Sequence, residues 1–346
     1  MDDRTHRPAD LLVPKRERKT LHLVLFLLTL ATTTLSGMLW RMETDLMNFS
    51  AGLPYALLLL FILSAHEFGH YFAARYYGVK TTLPYYIPVF LPGFINFGTF
   101  GAVIRMKEYP ASRKALFDIG IAGPIAGYVA SLVVLIYGFS NLPGPEYILH
   151  LHPGFDLATG TIPGEASMPV VTFGNSLMYS FLSHVIPSQA AWVPPMTEMY
   201  HYPFLITGWF GLLVTAMNLI PAGQLDGGHI LYAMVGSMHR RISRIVTALL
   251  IVFGSLAFLP TLLDLLYFPE LVKALYTLIP AWDSIFSATW LLFGLLILFM
   301  IKLDHPPIPD PEPLSAGRRY LGWASLFIFI VSFTPAPIYF SGGVLP

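Results

Sequence analysis

Residues 51–77 read AGLPYALLLLFILSAHEFGHYFAARYY. The run exceeds the roughly 20 apolar residues that carry a helix across a hydrocarbon core of about 30 Å, so it is expected to be a membrane-spanning helix. Inside it stand His66-Glu67-Phe68-Gly69-His70. Imidazole and carboxylate groups are expensive at mid-membrane and mark functional sites there.

The rest of the chain agrees with a membrane setting. It is 55% hydrophobic and only 12% charged, with mean hydropathy +0.63, whereas soluble domains carry about 25% charged residues. Further apolar runs lie at 21–40, 115–139, 204–235, 245–266, 284–301 and 321–339. These predict an all-α polytopic membrane protein with six or seven transmembrane helices. The run at 204–235 holds Pro221, Gly223, Gly227 and Gly228 and cannot be one straight helix, because proline removes a backbone donor and glycine weakens a helix interior.

Charge sets the orientation. If the N-terminus is inside, only Arg41 and Lys273 of the 20 Lys and Arg fall outside, and residues 141–200 contain none. The positive-inside rule then puts the N-terminus in the cytoplasm, and seven spans would leave the C-terminus outside. A signal peptide is the competing reading of 21–40, but that run exceeds the usual length of about 7 to 15 apolar residues and no small-x-small cleavage site follows it. The short basic tail lacks a long Ser- and Arg-rich transit segment, which favours a bacterial cytoplasmic membrane. A formal net charge of +0 argues against a nucleic-acid partner.

The chain divides into a basic tail at 1–19, a first span with its outer turn at 20–50, a membrane core at 51–235, and C-terminal helices at 236–346. Pro84, Pro88 and Pro92 forbid a helix through an apolar stretch, and Gly98 and Gly101 punctuate the next one. Segment 80–112 is therefore expected to be a short re-entrant β-hairpin, since non-helical backbone at membrane depth must be covered by protein or line a cavity. The outer loop 141–200 shows no strong periodicity; His150, His152, His184 and His201, in or beside it, read as solvated loop residues, with weak metal binding by His150 and His152 as the competing reading. The proline-rich segment 304–313 reads as a stiff connector.

On a helix, positions i and i+4 share a face, so His66 and His70 can reach one metal ion. With no cysteine in the chain, any metal must be held by His and carboxylate, and zinc suits that set. Two imidazoles need a third protein ligand and an open position for water, from which Glu67 can take a proton. Asp226, in Asn218-Leu219-Ile220-Pro221-Ala222-Gly223-Gln224-Leu225-Asp226-Gly227-Gly228, is the acidic residue on the broken run. It is the candidate third ligand of one zinc per chain; its competing reading is an Asp-Gly turn. Asn218 could donate its amide to substrate or to a developing oxyanion, or simply join two helices. Gly123 and Gly127 form a small-x-x-x-small face for helix packing, and His229 is left outside the site as a helix-end residue.

Taken in order, His66-Glu67-Phe68-Gly69-His70, then Gly123-Pro124-Ile125-Ala126-Gly127, then Asn218 to Gly228 resemble the site-2 protease family (peptidase family M50) of intramembrane zinc metalloproteases. The resemblance covers about residues 51–235. It implies that His66, His70 and Asp226 ligate zinc, that Glu67 is the general base, and that membrane proteins with a transmembrane segment are the substrates. Gly98, Thr99, Phe100 and Gly101 resemble the family's membrane-embedded hairpin, where an unwound substrate can add as a strand; a hairpin that only caps the cavity is the alternative. The chain departs from the family at Leu219, where many members carry proline. Two rival functions remain: a metalloprotease with a glutamate third ligand, against which Glu108, Glu146, Glu165, Glu198 and Glu270 all fall in loops or at span edges, and a metal transporter or non-catalytic membrane scaffold using the same His/Asp cluster.

Overall fold

A computed structural model describes residues 19–91, 96–162, 170–188, 191–310 and 312–341. The basic tail, apart from Lys19, lies outside the described residues, as do Pro92 and Glu165. Helix α1 spans Lys19–Trp40 and α2 Leu53–Tyr76, with Pro54 at its start, where a missing N–H costs nothing. Strands β1 (Tyr85–Pro88) and β2 (Thr99–Val103) follow and pair antiparallel, with an irregularity between Tyr86 and Pro88. The expected hairpin at 80–112 is thus present. Its two strands pack beside the N-terminal helices, β1 on α1 and β2 on α2.

Helix α3, Arg113–Ser140, is capped by the Ser112 hydroxyl and runs through an internal Pro124. The outer loop is not featureless. It folds α4 (Glu146–Leu151), β3 (Val170–Phe173), α5 (Leu177–Val185) and a 3-10 turn at Met199–His201. Helix α6 (Pro203–Leu219) then stops before Pro221, and α7 (Asp226–Val235) restarts. The expected interruption of 204–235 falls there. The carbonyl and N–H of Gly223 that the break frees are taken up by His239 Nε2 (3.1 Å) and the Ser243 hydroxyl (2.7 Å), as buried irregular backbone requires.

Beyond it lie α8 (His239–Leu256), α9 (Leu259–Leu265), α10 (Pro269–Leu278), α11 (Trp282–Ile285), α12 (Ala288–Leu296) with a π-type turn at Ile297–Ile301, α13 (Ala316–Ser332) and β4 (Ile338–Ser341). β4 pairs antiparallel with β3, Phe173 opposite Ile338, a second sheet that the sequence did not announce.

Among the described residues, four helices are long and apolar enough to cross a membrane, or up to five if the pair bent by 44° between α8 and α9 counts as one span. This is fewer than six or seven. The chain breaks at Pro221 and after Leu256, and both α6 and α13 stop at 17 residues.

The core gathers where α3 meets α2, α6 and α7, around Tyr55, Leu59, Leu135, Phe139 and Trp209. Small residues permit these approaches: a Cβ on Gly211 would lie 2.1 Å from Ser131 Oγ, and one on Gly208 2.4 Å from Leu135. The hairpin is tied to α1. His22 Nδ1 donates to the Pro84 carbonyl at 3.0 Å and the Thr32 hydroxyl to the Gly98 carbonyl at 2.6 Å. Gly98 has φ +80° and lies so close to Thr33 that any side chain would collide.

Candidate active site

One helix turn on α2 places His66 and His70 side by side, and the first residue of α7 brings Asp226 to them. His66 Nε2 and His70 Nε2 are 3.1 Å apart, and Asp226 Oδ2 lies 3.3 and 3.2 Å from them. Four donors at 2.0–2.1 Å around a tetrahedral zinc would stand about 3.3 Å from one another. The triangle therefore fits that ion. His70 Nδ1 donates to the Ile119 carbonyl at 2.7 Å, which leaves the Nε2 lone pair facing the other two ligands; such a bond fixes tautomer and ring orientation in metal sites.

The glycines of α3 have a more specific task than helix packing. A Cβ on Gly123 would sit 2.1 Å from His70 Nε2, and one on Gly127 3.0 Å from His66 Nδ1. They cradle the two imidazoles. The glycines at the start of α7 act similarly on backbone: a Cβ on Gly227 would lie 2.2 Å from the Leu219 carbonyl oxygen, so only glycine lets α7 turn back tightly enough to present Asp226.

A cavity of about 360 Å³ opens on the triangle, lined among others by Glu67, Asn218, Asp226, Gln224 and His229. Glu67 is buried and its carboxylate faces the backbone N–H of Ile104. Asn218 Nδ2 reaches His66 Nε2 at 3.3 Å, so the asparagine touches the ligand set.

The hairpin residues singled out from the sequence are placed differently. Gly98 is locked on α1, Thr99 is buried with its hydroxyl on the Ile87 carbonyl at 2.9 Å, and Phe100 is 73% exposed. The cavity is lined instead by the continuation of that strand, Ala102, Val103 and Ile104, together with Met106. Gly101, at φ +97°, marks where the strand bends between the two stretches.

Sequence reasoning left His229 out, yet it lines the cavity and its Nδ1 lies 2.9 Å from Nε2 of His305 in the proline-rich connector. His305 Nδ1 donates to the Pro306 carbonyl (2.9 Å), and its Nε2 accepts from the Tyr109 hydroxyl (2.8 Å). Burial pushes His305 down to about 4, so the ring is neutral near pH 7 and accepts at Nε2. The spacing of Asp226 and His229, one helical turn, was the available signal for His229. Nothing local pointed to His305.

The glutamates considered as an alternative third ligand do not join His66 and His70 among the described residues; Glu108, for example, pairs with Lys80 at the surface. His152 and His201 are not solvated: His201 is fully buried, and both meet Glu198.

A profile of peptidase family M50 matches residues 54–261. A probable zinc metalloprotease EGY2, chloroplastic, of Oryza sativa subsp. indica is 32% identical over 200 residues, 58% of this chain and 32% of that protein. A probable zinc metalloprotease EGY1, chloroplastic, of Arabidopsis thaliana is 34% identical over 186 residues, 54% of this chain and 30% of that protein. The chain thus covers about a third of the length of these relatives. No solved structure matches.

Proposed function

The chain belongs to peptidase family M50, and on that premise we propose that it is an intramembrane zinc metalloendopeptidase, cleaving peptide bonds within or near transmembrane segments of other membrane proteins. The observation that carries the proposal is the meeting of two His nitrogens and one Asp oxygen within 3.3 Å of one another, on apolar helices, beside a buried glutamate. Relatives named as zinc metalloproteases speak against a metal transporter or an inert scaffold.

His66, His70 and Asp226 hold the ion. Zinc, when bound, supplies Lewis acidity towards water and the scissile carbonyl. Glu67 takes the proton from the attacking water and returns it to the leaving amine. Asn218 donates its amide towards the oxygen that gains charge. A substrate segment, unwound so that its amide is no longer shielded in a helix, lies against Ala102, Val103 and Ile104 as an added strand. Gly98, Thr99, Phe100 and Gly101 hold that edge in place rather than touching substrate.

The membrane core is assigned to 51–235 and the flanking helices to scaffold. An N-terminus on the inner side with an odd number of crossings is the topology we favour. The β3–β4 pairing puts residues 170–173 and 338–341 on the same side of the molecule, as that parity requires. The relatives carry chloroplastic names, which do not support the bacterial cytoplasmic membrane expected from the short tail.

The test compares membrane-anchored fragments in cells expressing the wild type and Glu67→Gln. Fragments should vanish with the variant and uncleaved substrate should co-purify with it. Cleavage at the wild-type rate by purified Glu67→Gln would refute the mechanism.

A further inference from the structure

We propose that the outer end of the molecule holds a second zinc-class divalent cation, bound by His152, Glu198 and His201. This site lies beyond the activity proposed above and does not depend on it. His152 follows α4, Glu198 precedes the 3-10 turn, and His201 ends it, one residue before Tyr202 leads into α6. His152 Nε2 and His201 Nε2 are 3.0 Å apart, and Glu198 Oε2 stands 3.3 and 3.5 Å from them. These spacings match those of His66, His70 and Asp226 to within a few tenths of an ångström.

His201 Nδ1 lies 2.7 Å from the Trp40 carbonyl oxygen, which can only accept. The ring therefore carries a proton on Nδ1, which leaves Nε2 as the atom turned towards Glu198 and His152 and available to a cation. A proton on His152 Nε2 would satisfy that atom but leave Glu198 unserved. Glu198 is 7% exposed, and its Oε2 has no hydrogen-bond donor among the described residues. Burying a bare carboxylate oxygen is costly unless it is paired or coordinates a metal. A cation at the centre of the triangle resolves both needs at once, because it takes lone pairs from all three atoms.

Two imidazoles and one carboxylate, without thiolate, are the donor set of zinc and its first-row neighbours rather than of calcium or magnesium. Through these ligands the ion would staple the outer loop to the start of α6. Through the His201–Trp40 bond it would also hold the end of α1. The ion's role would be structural: among the described residues no acid or base stands beside this triangle as Glu67 does beside the inner one.

The experiment counts zinc in the purified full-length chain in detergent, by mass spectrometry after desalting. The wild type should hold two zinc ions per chain, the His66→Ala/His70→Ala/Asp226→Ala variant one, and that variant with His152→Ala added none. X-ray absorption of the triple variant should show nitrogen and oxygen neighbours at about 2.0–2.1 Å. His152 is the least buried of the three ligands, so its replacement spares the interior, and a folded single His152→Ala chain should hold one ion. One zinc in the wild type and none in the triple variant would overturn the outer site and leave the active-site reading standing. A zinc that survives the triple variant and also survives the added His152→Ala would overturn it as well. The reverse pattern, one ion lost only with His152, would support the outer site and count against the inner one.

Discussion

The two His–carboxylate–His triangles sit at opposite ends of α6, whose 17 residues span about 25 Å at 1.5 Å per residue. Their donors are the same and their spacings nearly so; their surroundings differ. The inner one borrows two ligands from a single helix face, has Glu67 and Asn218 beside it, opens on a cavity, and takes its third ligand from a chain break. In the outer one His201 is wholly buried, the third ligand arrives from a loop 49 residues away, and the neighbouring polar contact is a backbone carbonyl. A donor set therefore does not decide function. Proton-transfer groups and room for water beside the ion do.

Breaking the comparison begins with the inner triangle. Asp226→Ala should empty that site, with cleavage falling to background while the outer ion stays, as zinc counting combined with a fragment assay would reveal. Glu67→Gln should lower turnover by about 10² to 10⁴-fold with inner zinc intact; loss of the metal in that variant would mean that Glu67 is a ligand instead. Gly123→Ala drives a methyl into His70 and should cost about a hundredfold, as an ångström of misplacement does, with the melting temperature reported alongside to separate misplacement from unfolding. Asn218→Ala, which touches His66, should weaken zinc affinity or activity by about 10 to 100-fold, measurable by competition with a chelator.

The smallest effect on chemistry should come from the outer end. Stripping that ion, or His152→Ala, should destabilise the fold by about 3 kcal/mol when free zinc stands a hundredfold above its dissociation constant, and cleavage should fall only as far as the folded fraction does. Were His152→Ala instead to abolish cleavage in a fully folded chain, the sharp division between the two triangles would fail.

What could be read in advance follows the same line. His66 and His70 were legible because helical spacing alone puts them on one face, and Asp226 because proline and glycine announced a break at which a side chain could turn inwards. The outer triangle was illegible: His152 and His201 carry no shared periodicity, and tertiary packing of an irregular loop brings them together. The β3–β4 sheet joins residues 170–173 to 338–341, a closure that no local pattern encodes. The hairpin was found, but its cavity-lining stretch was displaced along the strand, from Gly98–Gly101 to Ala102–Ile104, because the glycines serve contact with α1. The hydropathy count of six or seven spans is not confirmed, since α6 and α13 each end at 17 residues and four or five spans meet the length test among the described residues.

The bonds from His22 to Pro84 and from Thr32 to Gly98 tie the hairpin to α1. On the proposed function, a substrate helix that pushed α1 aside would draw the strand edge away from Glu67, so parting α1 from its neighbours would disturb the surface proposed to receive the peptide. Under that reading a productive lateral approach leaves α1 and the hairpin together, and the geometry of admission would act as a first filter on which membrane segments are cut.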